Sequence, residues 1–191
     1  MPIDLSRLIP SNNPWDRPVP IINQKNITHV YITDNIGEPS DYNELCSLLT
    51  DASEAETFVF HLNTPGGIID TAFMIIDAMK NSKAKTVAHL TGTVASAGTM
   101  IALVCDELTV ADHTAFMIHN YSGGVSGKGH EMKLQQQFID KSLNEAFNDI
   151  YLGFLTEDEI AEVIDGKDMW MDKNEVLTRF KNKKELASEK E

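Results

Sequence analysis

The 191-residue sequence lacks several features that would place it in a class at once. Its only cysteines, Cys46 and Cys105, are too few for a disulfide framework and do not form a CxxC pair. No apolar run reaches the roughly 18 residues that a membrane-spanning helix needs, and the N-terminus has no apolar core like that of a signal peptide. These absences favour a reducing cytoplasm as the compartment.

Positive charge is also scarce. The 16 Lys and Arg residues are outnumbered by 29 Asp and Glu residues, which gives a formal net charge of −13. Binding to nucleic-acid phosphates depends on basic patches, so this composition argues against a nucleic-acid partner. Hydrophobic residues make up 42% of the chain and charged residues 24%, which is ordinary for one folded domain.

Segments that alternate like strands are interleaved with segments of helical periodicity. This alternation predicts an α/β layer fold with a largely parallel sheet and helices that cross over its faces. Strands are predicted at 27–33, 57–63, 86–94, 107–113 and 115–120, and helices at 40–52, 68–81, 96–104 and from a glycine-rich turn to about 155.

The ends of the chain differ in composition from its middle. Residues 1–24 hold five of the seven prolines and predict an irregular N-terminal arm. Residues 25–180 are expected to form a single domain, in which the glycine-rich turn and long helix occupy about 121–155. Residues 181–191 are rich in charge and predict a solvated, frayed C-terminal tail.

Ser96 lies between a predicted strand and a predicted buried helix, in the segment TVASAGTM. A serine at such a junction commonly caps the helix by accepting a backbone N–H bond. A strand-to-helix turn can also present a hydroxyl as a nucleophile. The local pattern leaves both interpretations open.

Two further segments have a structural and a chemical interpretation. His119 ends the apolar run AFMIHN before a glycine-rich loop, and it is either a core histidine or a catalytic imidazole. The segment NTPGG is either a simple turn or a source of backbone N–H groups for a developing oxyanion. A phosphate loop is a weaker alternative, because the GxxxxGK[ST] pattern is absent.

A carboxylate that orients an imidazole would complete such a site. Asp165 and Asp168 precede an aromatic and apolar run, and Asp106, Asp112 and Asp140 compete for the role. None of the six histidines occurs in HExxH or another familiar metal-ligand spacing, so no metal site is predicted.

Taken in order, the segments FHLNTPGG, GTVASAGTMIAL, FMIHNYSGG and DGKDMWM resemble the ClpP family of serine peptidases. The likeness covers about residues 27–176, with 23 residues from Ser96 to His119 and 49 from His119 to Asp168. It implies a ClpP/crotonase-type spiral of ββα units with a mostly parallel sheet. It also implies a protruding handle helix at about 130–155.

The resemblance also implies roles for individual residues. Ser96 matches the nucleophile, His119 the base and Asp168 the orienting carboxylate, with Asp165 as the less favoured third member. The backbone N–H groups of Gly67 and Ala97 match the oxyanion hole. No metal or cofactor is required. The matched substrate-binding positions are Gly66, Ile68, Ile69, Tyr121, Ser122, Gly123 and Gly124.

The same likeness implies a serine endopeptidase that cleaves unfolded polypeptides inside a homo-oligomeric chamber. The chamber would consist of heptameric rings, two of which stack into a tetradecamer, and an AAA+ unfoldase such as ClpX or ClpA would be the partner. One alternative is a catalytically silent scaffold or regulatory subunit. Another is a phage-encoded head-maturation protease that acts in the host cytoplasm without an unfoldase. A third is a crotonase-like acyl-CoA enzyme.

Overall fold

The computed structural model describes residues 19–188. The strands are β1 (Ile21–Gln24), β2 (Ile27–Ile32), β3 (Thr57–Thr64), β4 (Lys85–Ala95), β5 (Glu107–Val110), β6 (Ala115–Ile118) and β7 (Met169–Met171). The helices are α1 (Asn43–Asp51), α2 (Ile69–Asn81), α3 (Ala97–Val104), α4 (Gly129–Tyr151), α5 (Glu157–Ile164) and α6 (Lys173–Ser188), and a 3-10 turn at Pro39–Tyr42 precedes α1.

All seven strands form one sheet, in which β2 to β6 pair in parallel and β1 and β7 pair antiparallel at the two edges. The strand β4 is long enough to pair with two strands on the same side. Its first half pairs with β5 over Val87–Leu90, and its end pairs with β6 over Thr93–Ala95. The predicted α/β fold with a mostly parallel sheet is confirmed.

The sheet is amphipathic because successive side chains point to opposite faces. In β3, Phe58, Phe60 and Leu62 are buried, whereas Val59 and His61 between them are only half-buried. The buried set joins one core with the apolar faces of the helices. This packing holds the C-terminal ends of β3, β4 and β6 in fixed positions.

The helix α4 is buried only in its second half, where Leu143, Phe147, Ile150 and Tyr151 enter the core. Its first half carries the exposed apolar side chains of Leu134 and Phe138. A long helix that projects from the domain is therefore confirmed. It ends at Tyr151 rather than near 155, because Gly153 follows with a φ of 88° that turns the chain.

The two ends of the chain differ from the prediction. Residues 21–24 form β1, because they pair with β2, although they fall within the segment predicted as irregular. The charged tail is helical as far as Ser188, since Val176 and Phe180 bury one face of α6. The predictions for residues 1–18 and 189–191 lie outside the described residues. No helix of the described part is long and apolar enough to cross a membrane.

Candidate active site

Ser96 has an unusual backbone conformation, with φ at 53° and ψ at −128°. Few residues other than glycine adopt such angles. The residue occupies the N-cap position of α3, yet its side chain makes no capping bond. The helix-cap interpretation of Ser96 is therefore wrong, and the serine hydroxyl remains available for another role.

Gly66 packs directly against Ser96. A β-carbon on Gly66 would lie 2.6 Å from the Ser96 Cβ and 3.1 Å from the Ala97 nitrogen, which is too close for any other residue. Its φ of 102° is also unfavourable for residues other than glycine. The loop after β3 and the turn after β4 therefore form one compact unit around the serine.

The backbone N–H groups of Gly67 and Ala97 can both donate a hydrogen bond to an acceptor outside their own loop and helix. Ile36 pairs with Gly67 by donating to Gly66 O at 2.8 Å and accepting from Ile68 N at 2.9 Å. In this bridge the amide of Gly67 points away from Ile36. Ala97 is the first residue of α3, so its N–H has no acceptor within the helix.

The end of β6 lies beside Ser96. The Ser96 N–H donates to the carbonyl oxygen of Met117 at 2.9 Å, and Ala95 pairs with Met117 in the sheet. His119 follows two residues after Met117, where β6 has ended. The parallel pairing of β4 and β6 therefore brings the serine and the histidine to the same end of the sheet.

Asp168 is brought to this end by β7, which the sequence did not predict. β7 pairs antiparallel with β6, and Ile118 is opposite Met169. The next position in the register sets His119 opposite Asp168. Asp165 is the C-cap residue that follows α5, three residues before Asp168, and has no such position.

The backbone brings the three residues together, but their side chains do not bond to one another. None of the hydrogen bonds within residues 19–188 joins Ser96, His119 and Asp168. Ser96 and His119 are half-buried and Asp168 is exposed. Catalytic hydrogen bonds are often long in enzymes without substrate and shorten when substrate binds.

Three of the competing aspartates have other partners. Their carboxylates accept hydrogen bonds or pair with a cation elsewhere, which leaves Asp168 as the carboxylate that the register directs to His119. The partners are Thr86 for Asp106, Lys173 for Asp112, and Tyr121 and Gln136 for Asp140.

The predicted substrate-binding positions differ in geometry. Ile68 has an extended backbone whose N–H donates to the Ile36 carbonyl at 2.9 Å, and Ile69 is the first residue of α2. Gly67 is the residue of this loop whose N–H and carbonyl groups point away from Ile36. On the other side, residues 122–124 are exposed and irregular, and their backbone is free to pair with a peptide.

Tyr121 ties this second segment to the handle helix. Its hydroxyl donates to Asp140 and accepts from Gln136, and Gln136 also donates to Asp140 at 2.8 Å. The bond to Asp140 raises the pKa of Tyr121 and lowers the pKa of Asp140. The segment after His119 is therefore fixed to α4 at physiological pH.

Asn120 is a residue that the sequence analysis missed. Its side-chain amide donates to the Ile164 carbonyl at 2.7 Å, and its side-chain oxygen accepts the Tyr121 N–H at 2.8 Å. It therefore joins the segment after His119 to the end of α5, four residues before Asp168. The sequence feature that could have predicted this role is an asparagine in a loop, because asparagine side chains often bond to nearby backbone groups.

Three histidines lie side by side on the half-buried face of the sheet. His29 and His61 are joined by a ring-nitrogen hydrogen bond of 3.0 Å, and His61 contacts His89 edge to face. Burial, His29 and His89 all lower the pKa of His61. Among residues 19–188 there is no group of three or more side chains with the arrangement of a metal site.

Comparison with known proteins gives the family of the chain. The sequence pattern of the Clp protease family matches residues 22–179. The chain is 25% identical to the ATP-dependent Clp protease proteolytic subunit 2 of Pseudomonas aeruginosa over 171 residues, which are 86% of this chain and 84% of that protein. It is 30% identical to the proteolytic subunit 3 of Rhizobium etli over 138 residues, 69% of this chain and 70% of that protein.

A third relative is the proteolytic subunit 1 of Chlamydia muridarum, which is 28% identical over 130 residues, 65% of this chain and 67% of that protein. The match to the family pattern spans β2 to β7, which are the elements that bring Ser96, His119 and Asp168 together. The chain belongs to the Clp protease family.

Proposed function

We propose that this protein is a serine endopeptidase in which Ser96, His119 and Asp168 form the catalytic triad. The observation that carries the proposal is their convergence at one end of the sheet, through the Ser96–Met117 bond and the Ile118–Met169 pair. Membership of the Clp protease family supports the same chemistry.

The reaction would proceed through an acyl-enzyme. Ser96 Oγ attacks the peptide carbonyl carbon while His119 takes its proton, and Asp168 stabilises the resulting imidazolium. The C–N bond then breaks as His119 gives the proton to the leaving amine. Water repeats the attack on the ester, His119 takes the proton of that water, and Ser96 is regenerated when the proton returns to its oxygen.

The N–H groups of Gly67 and Ala97 would stabilise the negative charge that develops on the carbonyl oxygen. Their loops are held together by the close contact of Gly66 with Ser96. Fixed donors of this kind need no reorganisation during the reaction, and removing one typically costs about 3–4 kcal/mol of transition-state stabilisation. No cofactor takes part in these steps.

We also propose that the protein acts as a ring-shaped oligomer. The exposed side chains of Leu134 and Phe138 give the projecting half of α4 an apolar surface that a second copy can cover. The relatives are named as subunits of ATP-dependent proteases, so the proposal includes a Clp ATPase that supplies unfolded polypeptide.

The test compares the protein with its Ser96→Ala variant in a fluorophosphonate labelling assay and a fluorogenic peptide assay. Labelling and turnover are expected to fall to background in the variant, because the attacking oxygen is lost. The matched control is Ser47→Ala, which removes a hydroxyl from an exposed position on α1. An unlabelled wild-type protein would overturn the proposal in favour of a silent subunit, and full labelling of Ser96→Ala would overturn it by showing that another residue is the nucleophile.

A further inference from the structure

Two hydroxyl groups connect the carbonyl oxygen of Ser96 to the end of α4. Thr99 Oγ1 lies 2.6 Å from Ser96 O and 2.7 Å from the Tyr151 hydroxyl. A carbonyl oxygen can only accept, and a threonine hydroxyl has one hydrogen to donate. Thr99 therefore donates to Ser96, and Tyr151 donates to Thr99, which fixes the direction of both bonds.

The connection is protected from water. Thr99 and Tyr151 are 0% and 1% exposed, so water does not compete for these bonds. Burial also raises the pKa of Tyr151, and its phenol stays protonated and keeps donating. The Thr99 N–H bonds to the same carbonyl at 2.9 Å, so two donors hold the Ser96 oxygen.

A threonine that bonds to a backbone carbonyl three or four residues earlier is common in helices and often has only a structural role. Two features distinguish Thr99 from that ordinary case. The carbonyl belongs to Ser96, whose φ of 53° is rare outside glycine. The second hydroxyl comes from Tyr151, which is 52 residues away in sequence.

The planarity of the peptide bond gives this arrangement its chemical meaning. The carbonyl of Ser96 and the N–H of Ala97 belong to the same trans peptide unit and point in opposite directions. Any group that holds the Ser96 oxygen therefore also fixes the direction of the Ala97 N–H. That nitrogen lies on the side of Gly66, where a β-carbon would approach it to 3.1 Å.

We infer that Thr99 is a positioning residue that aims the Ala97 N–H at the oxyanion, and that Tyr151 keeps Thr99 in the donating orientation. This inference rests on the proposed peptidase function. It places the direction of one oxyanion donor under the control of the last residue of the handle helix, because Tyr151 ends α4.

The test uses three variants of the full-length protein. Thr99→Val removes the hydroxyl with little change of shape, Thr99→Ser keeps it, and Tyr151→Phe removes the second donor. We expect Thr99→Val to lower kcat about 10- to 100-fold with KM within about twofold. Thr99→Ser should retain kcat within a few-fold, and Tyr151→Phe should lie between the two.

A peptide aldehyde gives a readout that a merely structural role would not change in this way. It forms a tetrahedral adduct with an oxyanion, so its affinity for Thr99→Val should fall in parallel with kcat. The control is Thr114→Val, since Thr114 is also buried and donates to a backbone carbonyl, that of Ala111, at 2.8 Å, at the opposite end of β6 from His119. Its melting temperature is expected to fall without loss of kcat.

The outcomes separate this inference from the proposed function. A wild-type protein without turnover or labelling would overturn the peptidase function, and the inference with it. An active wild-type protein whose Thr99→Val variant keeps full kcat and full aldehyde affinity would overturn the inference alone. An equal loss of activity in Thr99→Ser and Thr99→Val would do the same, because the hydroxyl would then be irrelevant.

Discussion

His119 and Asp168 each lie one residue beyond the last partners of one antiparallel strand pair. His119 directly follows Ile118, Asp168 directly precedes Met169, and Ile118 and Met169 are partners in the pairing of β6 with β7. Opposite residues in such a pair have β-carbons about 4.5–5.5 Å apart, so a continuation of this register by one residue would put the carboxylate within reach of the imidazole. The pairing of β7 with β6 therefore supports Asp168 over Asp165 as the carboxylate of the proposed triad.

The first prediction distinguishes the two aspartates of the DGKD segment. Asp168→Asn should lower kcat/KM by about 100-fold or more, because an amide cannot stabilise the imidazolium or hold its tautomer. Asp165→Asn should leave activity unchanged, since Asp165 caps the C-terminus of α5 and lies outside the β6–β7 register. Steady-state hydrolysis of a fluorogenic peptide measures both variants. The opposite ranking would assign the orienting role to Asp165.

The second prediction concerns Gly66. Gly66→Ala should abolish peptide hydrolysis and probe labelling, because its β-carbon would lie 2.6 Å from the Ser96 Cβ in an unfavourable backbone conformation. The control is Gly129→Ala at the start of α4, where nothing lies within 4 Å of the added carbon. A fully active Gly66→Ala enzyme would contradict the close packing of this loop against the serine.

The third prediction concerns the link between Tyr121 and Asp140. Tyr121→Phe and Asp140→Asn should each raise KM about 3- to 10-fold with little change in kcat, because they release the segment that we expect to pair with the peptide. Asp149→Asn removes an exposed carboxylate from the same helix and serves as the control. A fall in kcat at constant KM would instead place this link in the chemical step.

The strands around the site could be predicted because their sequence pattern and their burial agree. Residues 57–63, predicted as a strand, alternate between buried and less buried side chains as β3 does. Where local pattern and tertiary environment favour the same state, sequence reasoning succeeds. The same agreement holds for α2, which was predicted at 68–81 and buries apolar residues such as Ile76 and Met79.

The remaining features depend on contacts between distant segments. The strand β7 has only three residues and exists because β6 pairs with it, so no local period reveals it. The helix α6 has a strongly charged sequence, and its order comes from distant bonds such as Lys183 Nζ to the Ile150 carbonyl at 2.6 Å. The conformation of Ser96 likewise depends on its bonds to Met117 and Thr99.

The fourth prediction uses the lowered pKa of His61. Its neighbours His29 and His89 and its partial burial disfavour the protonated form in the folded protein. The unfolded chain therefore binds this proton more readily, and stability should fall as the pH drops below about 6.5. His61→Asn should reduce this dependence between pH 7 and 5 in urea unfolding. His130→Asn, at an exposed position, should retain it.

The fifth prediction concerns Glu159, which receives two bonds from the Arg179 guanidinium at 2.8 and 2.9 Å. These bonds lower its pKa to about 2, well below the usual value of about 4.5. The charged pair therefore stabilises the fold above pH 4.5, and the contribution of about 2 kcal/mol is lost as the pH falls towards 2. Glu159→Gln should lower the free energy of unfolding by about this amount at pH 7, and the difference should shrink in acid.

Glu185→Gln removes an exposed partner of Lys181 and should change little, because exposed pairs contribute little. A difference between wild type and Glu159→Gln that stays constant from pH 7 to 3 would show that packing, and not charge, links α5 to α6.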